Sequence, residues 1–168
     1  KTMKKILAIS VIMIAFSAGL FAQNQATATA TAVIVTPISI TQTADMSFGN
    51  IIASVGGGTV VLTPGGVRTP TGVTFPAVGG TVSAASFNVA GQANLTYSIT
   101  LPGSHTINSG LNSMLVDAFS SSTLSGTATL SGTGADVLTV GATLNVGAAQ
   151  PAGTYTNAAG FTVTVNYN

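Results

Sequence analysis

The stretch ATATATAVIVTPISITQ, residues 26–42, is the one whose reading decides the fold. Its even positions hold Ala26, Ala28, Ala30, Ala32, Ile34, Thr36, Ile38 and Ile40. Its odd positions hold Thr27, Thr29, Thr31, Val33, Val35, Pro37, Ser39 and Thr41. Alternation with a period of two puts the alanine–isoleucine row on one face of an extended strand. At about 3.3 Å per residue that strand would exceed ~50 Å, roughly three times the ordinary length. One domain of this size has no use for all of it. The segment therefore reads as bending at Pro37, its second part entering the domain and its first part pairing outside it.

What precedes the stretch explains its position. Lys4 and Lys5 lead into an apolar run from Ile6 to Phe16, and small residues follow as far as Ala22. A basic start, an apolar middle and a small residue at the cut are the three parts of a secretory signal peptide, expected over residues 1–22. The run falls short of the ~20 residues a membrane-spanning helix needs. Cleavage before Gln23 would make 26–42 nearly the first thing in the mature protein.

The whole-chain charge of +1 describes mostly that signal. From residue 23 onward Arg68 faces Asp45, Asp117 and Asp136, one positive against three negative charges, for a formal net charge of −2. No basic patch remains to neutralise phosphates, so nucleic acid is excluded as an expected partner. Charged residues make up 4% of the chain, against about 25% in ordinary soluble domains. Thr, Ser, Asn and Gly must supply the wetted surface, a composition that suits a surface fibre rather than an enzyme. Cysteine is absent, so an exported chain would hold together without disulfides. About 146 residues after the cut suffice for one core.

The rest of the chain reads as short strands between turn signals. Residues 44–51 make a short strand closed by Gly49-Asn50, and 59–63 a second, ended by Pro64-Gly65-Gly66. Residues 67–75 are strand-like, but Pro70 restricts them to an edge or a bulge. Phe87 and Val89 share a face within 81–90. Leu95, Tyr97, Ile99 and Leu101 give the clearest core strand, which Pro102-Gly103 stops. Further strands are expected at 111–119 (Met114, Val116 and Phe119 inward), 123–130, 137–146 and 161–167. Turn signals every 8–12 residues and no helical apolar period predict an all-β sandwich. A membrane barrel is the rival, and the aromatic girdles it needs are missing from a chain with no Trp.

Reactive chemistry is sparse. His105 is the single histidine, placed beside Pro102-Gly103-Ser104 in an expected loop, with no partner ligands near it in sequence. Asp45, Asp117 and Asp136 lack calcium-loop spacing and read as turn or strand-end residues. The serines have no partnered base. Gly56-Gly57-Gly58 is not followed by a lysine and opens no helix, so it does not read as a phosphate loop. Asn94-Leu95-Thr96 fits a glycosylation sequon, a frequent chance match in so threonine-rich a chain. Neither catalysis, a cofactor nor a metal is expected.

An alternating strand after a signal, then Asp45-Met46-Ser47-Phe48-Gly49-Asn50, then Ala152-Gly153-Thr154-Tyr155-Thr156 and a closing Phe161-Thr162-Val163-Thr164-Val165-Asn166-Tyr167 form a recognisable order. It resembles the archaic chaperone–usher pilin and spore coat protein U group, and closer still a cysteine-free bacterial relative of it. The likeness covers nearly all of the chain beyond residue 22, and its most specific parts are 46–50 and 153–167. Many pilins of that group carry cysteines near the first body strand, which this chain does not. The resemblance implies an incomplete immunoglobulin-like sandwich, completed by the N-terminal extension of a neighbouring copy.

On that reading residues 23–40 are a donor-strand extension and 41–168 an immunoglobulin-like body. The donor face would be Ala28, Ala30, Ala32, Ile34 and Ile38, with Val33 or Val35 as anchors in the opposite register. The acceptor edge would be Phe161, Val163, Val165 and Tyr167, the last strand before the chain stops. A one-residue slip would bury Thr27, Thr29 and Thr31 with unpartnered hydroxyls, which favours the even-numbered face. The expected product is a filament of identical subunits at a bacterial cell surface, with a periplasmic chaperone and an outer-membrane usher as assembly partners. The alternative is a monomeric adhesin or carbohydrate-binding sandwich in which the same extension folds back as the domain's own last strand.

Overall fold

A computed structural model describes residues 24–123 and 126–168. The signal expected at 1–22 lies outside the described residues. The chain divides into two units, Lys1–Ile34 and Val35–Asn168. In the first, the described residues from Asn24 onward form no regular secondary structure, and Val33 and Ile34 are exposed.

The second unit holds the strands, and no helix occurs among its described residues. In chain order they are β1 (Ser39–Ala44), β2 (Ser47–Phe48), β3 (Gly58–Leu62), β4 (Arg68–Thr71), β5 (Val82–Ser83) and β6 (Ala85–Ala90). Then come β7 (Thr96–Thr100), β8 (Ser104–Ser109), β9 (Asn112–Ser121), β10 (Thr127–Thr129), β11 (Ala135–Val146) and β12 (Thr164–Tyr167). Every pairing between them is antiparallel. The fold is an all-β, immunoglobulin-like sandwich, as the turn spacing predicts.

β11 is the spine of the larger sheet. Its first half pairs with β6, from Ala135 opposite Ala90 to Val140 opposite Ala85. Its second half pairs with β3 on one side and with β9 on the other. β1 extends the sheet beyond β6, β4 beyond β3 and β8 beyond β9. Gly141 sits at the changeover, where an added Cβ would lie 2.2 Å from the Leu62 carbonyl oxygen. A glycine is required there because another backbone crosses too closely for any side chain. Along β11 the even positions Leu138, Val140, Ala142, Leu144 and Val146 all point inward and are buried.

The even row serves two cores. Leu138 and Val140 pack with Phe87, Val89, Tyr97, Leu130, Val163 and Val165. Ala142, Leu144 and Val146 pack with Phe48, Val60, Leu62, Val73 and Val116. The first core is roofed by the second layer, the three-stranded sheet β10-β7-β12. Val165 stands opposite Ile99 and Tyr167 opposite Tyr97, so the expected neighbours do meet. Tyr97 is fully buried, and its hydroxyl donates to the Asp136 carboxylate at 2.8 Å. Burial first, then that bond and the carboxylate's charge, push its pKa well above the ordinary phenol range.

Several expectations need correction. His105 is not in a loop: it lies in β8, paired with Val116 and half-buried. Pro102-Gly103 is a tight connection between β7 and β8, and the polar sequence SHTINS conceals a strand that turns His105 and Ile107 inward. Leu111 is fully exposed in the turn before β9. Met114 and Val116 alternate inward as expected, and Phe119 reaches the same core face only through a bulge. The β9–β11 register shifts between Gly141 and Thr143, and Ala118 takes a φ of 47°. An extra residue of that kind reverses the parity of the strand beyond it. The extension–body boundary also moves: β1 begins at Ser39, and Ile38 and Ile40 pack against the first core of their own chain. Ile38 is therefore a body residue rather than part of a free donor row.

Candidate functional site

Residues 45–53 form one side of a long open cleft in the body. Their backbone bonds run outward, away from the cleft. Ser47 and Phe48 pair with Ser83 and Val82. Asn50 N–H donates to the Gly79 carbonyl at 2.7 Å, and Ile52 and Thr74 exchange bonds of 2.8 and 3.2 Å. Residues 150–161 form the opposite side, and their ties to other strands run to β8 and β9. Thr156 and Asn108 exchange backbone bonds of 2.9 and 3.0 Å. The Asn157 side-chain amide donates to the Thr106 carbonyl at 2.9 Å, and that of Gln150 to the Ser113 carbonyl at 3.2 Å. Neither stretch has a strand partner on its inner edge among the described residues.

Between them lies a volume of about 1180 Å³, floored by the inner face of the large sheet. Ala85 and Phe87 of β6, Leu144 and Val146 of β11, Met114 and Val116 of β9, and Ile107 of β8 make the floor. One end is closed by an aromatic group centred on Phe161. Its ring lies 5.0 Å from Phe119, 6.5 Å from Phe87 and 6.1 Å from His105, the last two edge to face. Such tilted and T-shaped pairs add to simple area burial. Met46 and Phe119 pack against both cores and so mark where roofed sandwich gives way to cleft.

The arrangement has an apolar floor and two free backbone edges. Exposed N–H and C=O groups on facing edges, with an apolar surface below, match the two requirements of an extended segment, which are ladder bonds and a place for alternate side chains. Titratable groups at the cleft are few, namely Asp45, His105 and Tyr155. Asp45 accepts from the Gln42 amide, and the Tyr155 hydroxyl donates to the Pro151 carbonyl at 2.8 Å. Asp117 pairs with Ser104 and Thr143 in mid-sheet, and Asp136 is bonded to Tyr97. The three aspartates do not converge, and among the described residues no group of three or more His, Cys, Asp or Glu could hold a metal ion.

Of the expected acceptor edge, Phe161 lines the cleft. Val163 and Val165 point into the roofed core and are buried. β12 itself is bonded to β7 alone, so its outer backbone edge has no strand partner among the described residues. The Tyr167 hydroxyl accepts from Gln92 N–H at 2.5 Å and donates to the Thr36 carbonyl at 2.8 Å. Gln92 Oε1 completes this clasp by accepting from Thr36 N–H at 3.4 Å. Thr36 is thereby fixed beside the last strand. Ala28, Ala30, Ala32 and Ile34 of the expected donor row are exposed.

Sequence reasoning found Met114 and Val116 of the floor but missed His105 and Ile107 of β8 and the whole 150–161 side as a wall. Parity at His105 and Ile107 was the available signal. Met46–Asn50 and Gly153–Thr156, two of the stretches that carry the pilin resemblance, stand on opposite sides of the cleft.

A family model described as "Domain of unknown function (DUF4402)" matches residues 38–167. The chain belongs to that family. The match begins at the residue before β1 and spans every strand of the body, leaving the alternating residues 26–37 outside it. No curated protein and no solved structure matches the chain.

Proposed function

We propose that this DUF4402 protein is a secreted structural subunit of a bacterial cell-surface fibre, and that it polymerises when the 24–36 extension of one copy fills the cleft of the next. The observation that carries the reading is the cleft itself: two facing edges, neither with an inner strand partner among the described residues, over an apolar floor. The occupant is a second copy because the chain carries a matching segment. That segment alternates with a period of two, has no charged residue, and presents Val33 and Ile34 exposed. An inserted strand of ten residues would add roughly ten backbone hydrogen bonds at about 1 kcal/mol net each. Alanines contribute little apolar area, so Ile34 is the anchor on the even face. Free strand edges left uncovered invite aggregation, which a dedicated periplasmic chaperone and usher would prevent during export.

Deleting residues 24–35 tests this. The truncated chain should form no filaments, yet should still take up a synthetic 24–36 peptide. Full-length protein should run as a ladder in mild detergent and collapse to monomer on boiling. A full-length protein that remains monomeric at every concentration would overturn the fibre reading.

A further inference from the structure

Arg68 is the one cationic side chain between residues 24 and 168. Among the described residues its guanidinium bonds carbonyls rather than a carboxylate. Nη1 donates to the carbonyls of Phe48 and Asn50, the second at 3.0 Å, and Nη2 donates to the Gly79 carbonyl at 3.2 Å. The guanidinium carbon sits 3.7 Å above the centre of the Phe75 ring. Glycines make room for it. A Cβ at Gly49 would lie 2.8 Å from Nη1, and one at Gly79 the same distance from Nη2. Gly49 also holds a φ of 68°, where other residues are strained.

Phe48 and Asn50 belong to one wall of the cleft, and Gly79 and Phe75 to the chain outside it. We infer that Arg68 is the positioning residue of the strand-accepting cleft: it pins the 45–53 wall to the chain outside the cleft and so keeps it clear of the space an inserted strand would fill. This rests on the reading of the cleft as a strand acceptor. The wall's other backbone ties are the two-residue pairing of β2 with β5, the Asn50–Gly79 bond and the Ile52–Thr74 exchange, each a contact between two segments, whereas Arg68 gathers three carbonyls at one point. A planar fork with five N–H donors can bond three carbonyls while stacking on a ring, which a lysine ammonium cannot do.

The experiment uses the full chain carrying Ile34→Asp, so that its own extension does not compete, with a fluorescent peptide of residues 24–36 as probe. Arg68→Lys is compared with this parent and with Leu138→Val, a change in the roofed core away from the cleft. Peptide affinity is measured where all variants are folded, together with amide exchange at Asn50 and Ile52. We expect Arg68→Lys to weaken the peptide at least tenfold and to speed exchange at both amides, while Leu138→Val binds as the parent does. Phe75→Leu should reproduce the loss in part, and it stands in should an arginine variant fail to fold. Parental affinity in both Arg68→Lys and Phe75→Leu, or an equal loss in Leu138→Val, would overturn the role of Arg68 and leave the cleft reading intact. A parent that does not bind the peptide would overturn both.

Discussion

One strand, β11, floors two halves of the same sandwich, and the halves have different fates. Over Leu138 and Val140 the second layer is complete: β10, β7 and β12 pair in register and bury Tyr97, Val163 and Val165. Over Leu144 and Val146 the second layer consists of two short walls with an open cleft between them. The inward residues are equally apolar in both halves, so hydrophobicity does not account for the difference. What differs is the supply of backbone partners. The roofed half receives three strands from its own chain, and the cleft half receives two edges, each already bonded on the side away from the gap. An inward apolar row is closed only where a neighbouring strand can satisfy its main chain.

The comparison can be broken most severely from outside the body. Ile34→Asp should abolish filament formation in electron micrographs, because burying an unpaired carboxylate costs several kcal/mol, whereas Thr29→Asp should leave filaments. Equal effects would place the odd face in the cleft. Next in size, Leu138→Ala in the roofed half should cost about 2–5 kcal/mol in a urea titration. Met114→Ala on the cleft floor should cost less than ~1 kcal/mol in the unpolymerised chain and clearly more once the 24–36 peptide is bound. A Met114→Ala cost that ignores the peptide would show that the occupant never reaches the floor.

Two smaller effects sharpen the roofed half. The Tyr97 hydroxyl is held protonated in the folded state above its unfolded value of about 10. Its contribution is therefore fully present below pH 10 and is lost as pH rises beyond it, since the unfolded chain gives up the proton first. Tyr97→Phe should flatten that alkaline decline while costing about 1 kcal/mol at pH 7 through the missing bond to Asp136. A wild-type denaturation midpoint that holds steady as pH rises past about 10 would contradict the assignment. Smallest of all, Tyr167→Phe removes the two Tyr167 bonds of the clasp, leaving that between Gln92 and Thr36, and should lower stability by no more than ~1 kcal/mol. Faster amide exchange at Gln92 would report the change.

Much of this protein is written in local pattern. Alternation at Tyr97, Ile99 and Val165, glycine and proline at the turns, and the missing helical period together determine an all-β sandwich, because side-chain parity and turn chemistry act over a few residues. Pro70 marks β4 as an edge for the same local reason, since it has no N–H to give. The excess length of 26–42 is equally plain from the sequence alone. Only the tertiary structure decided where that stretch joins the body, by packing Ile38 and Ile40 on a core whose buried members begin only at Ala85. It alone placed His105 in a strand, because β8 gains its order from pairing with β9 rather than from its own polar residues. It likewise set residues 45–53 against 150–161. Nothing in either segment names the other, and the cleft exists because each is bonded on its far side to a third part of the chain.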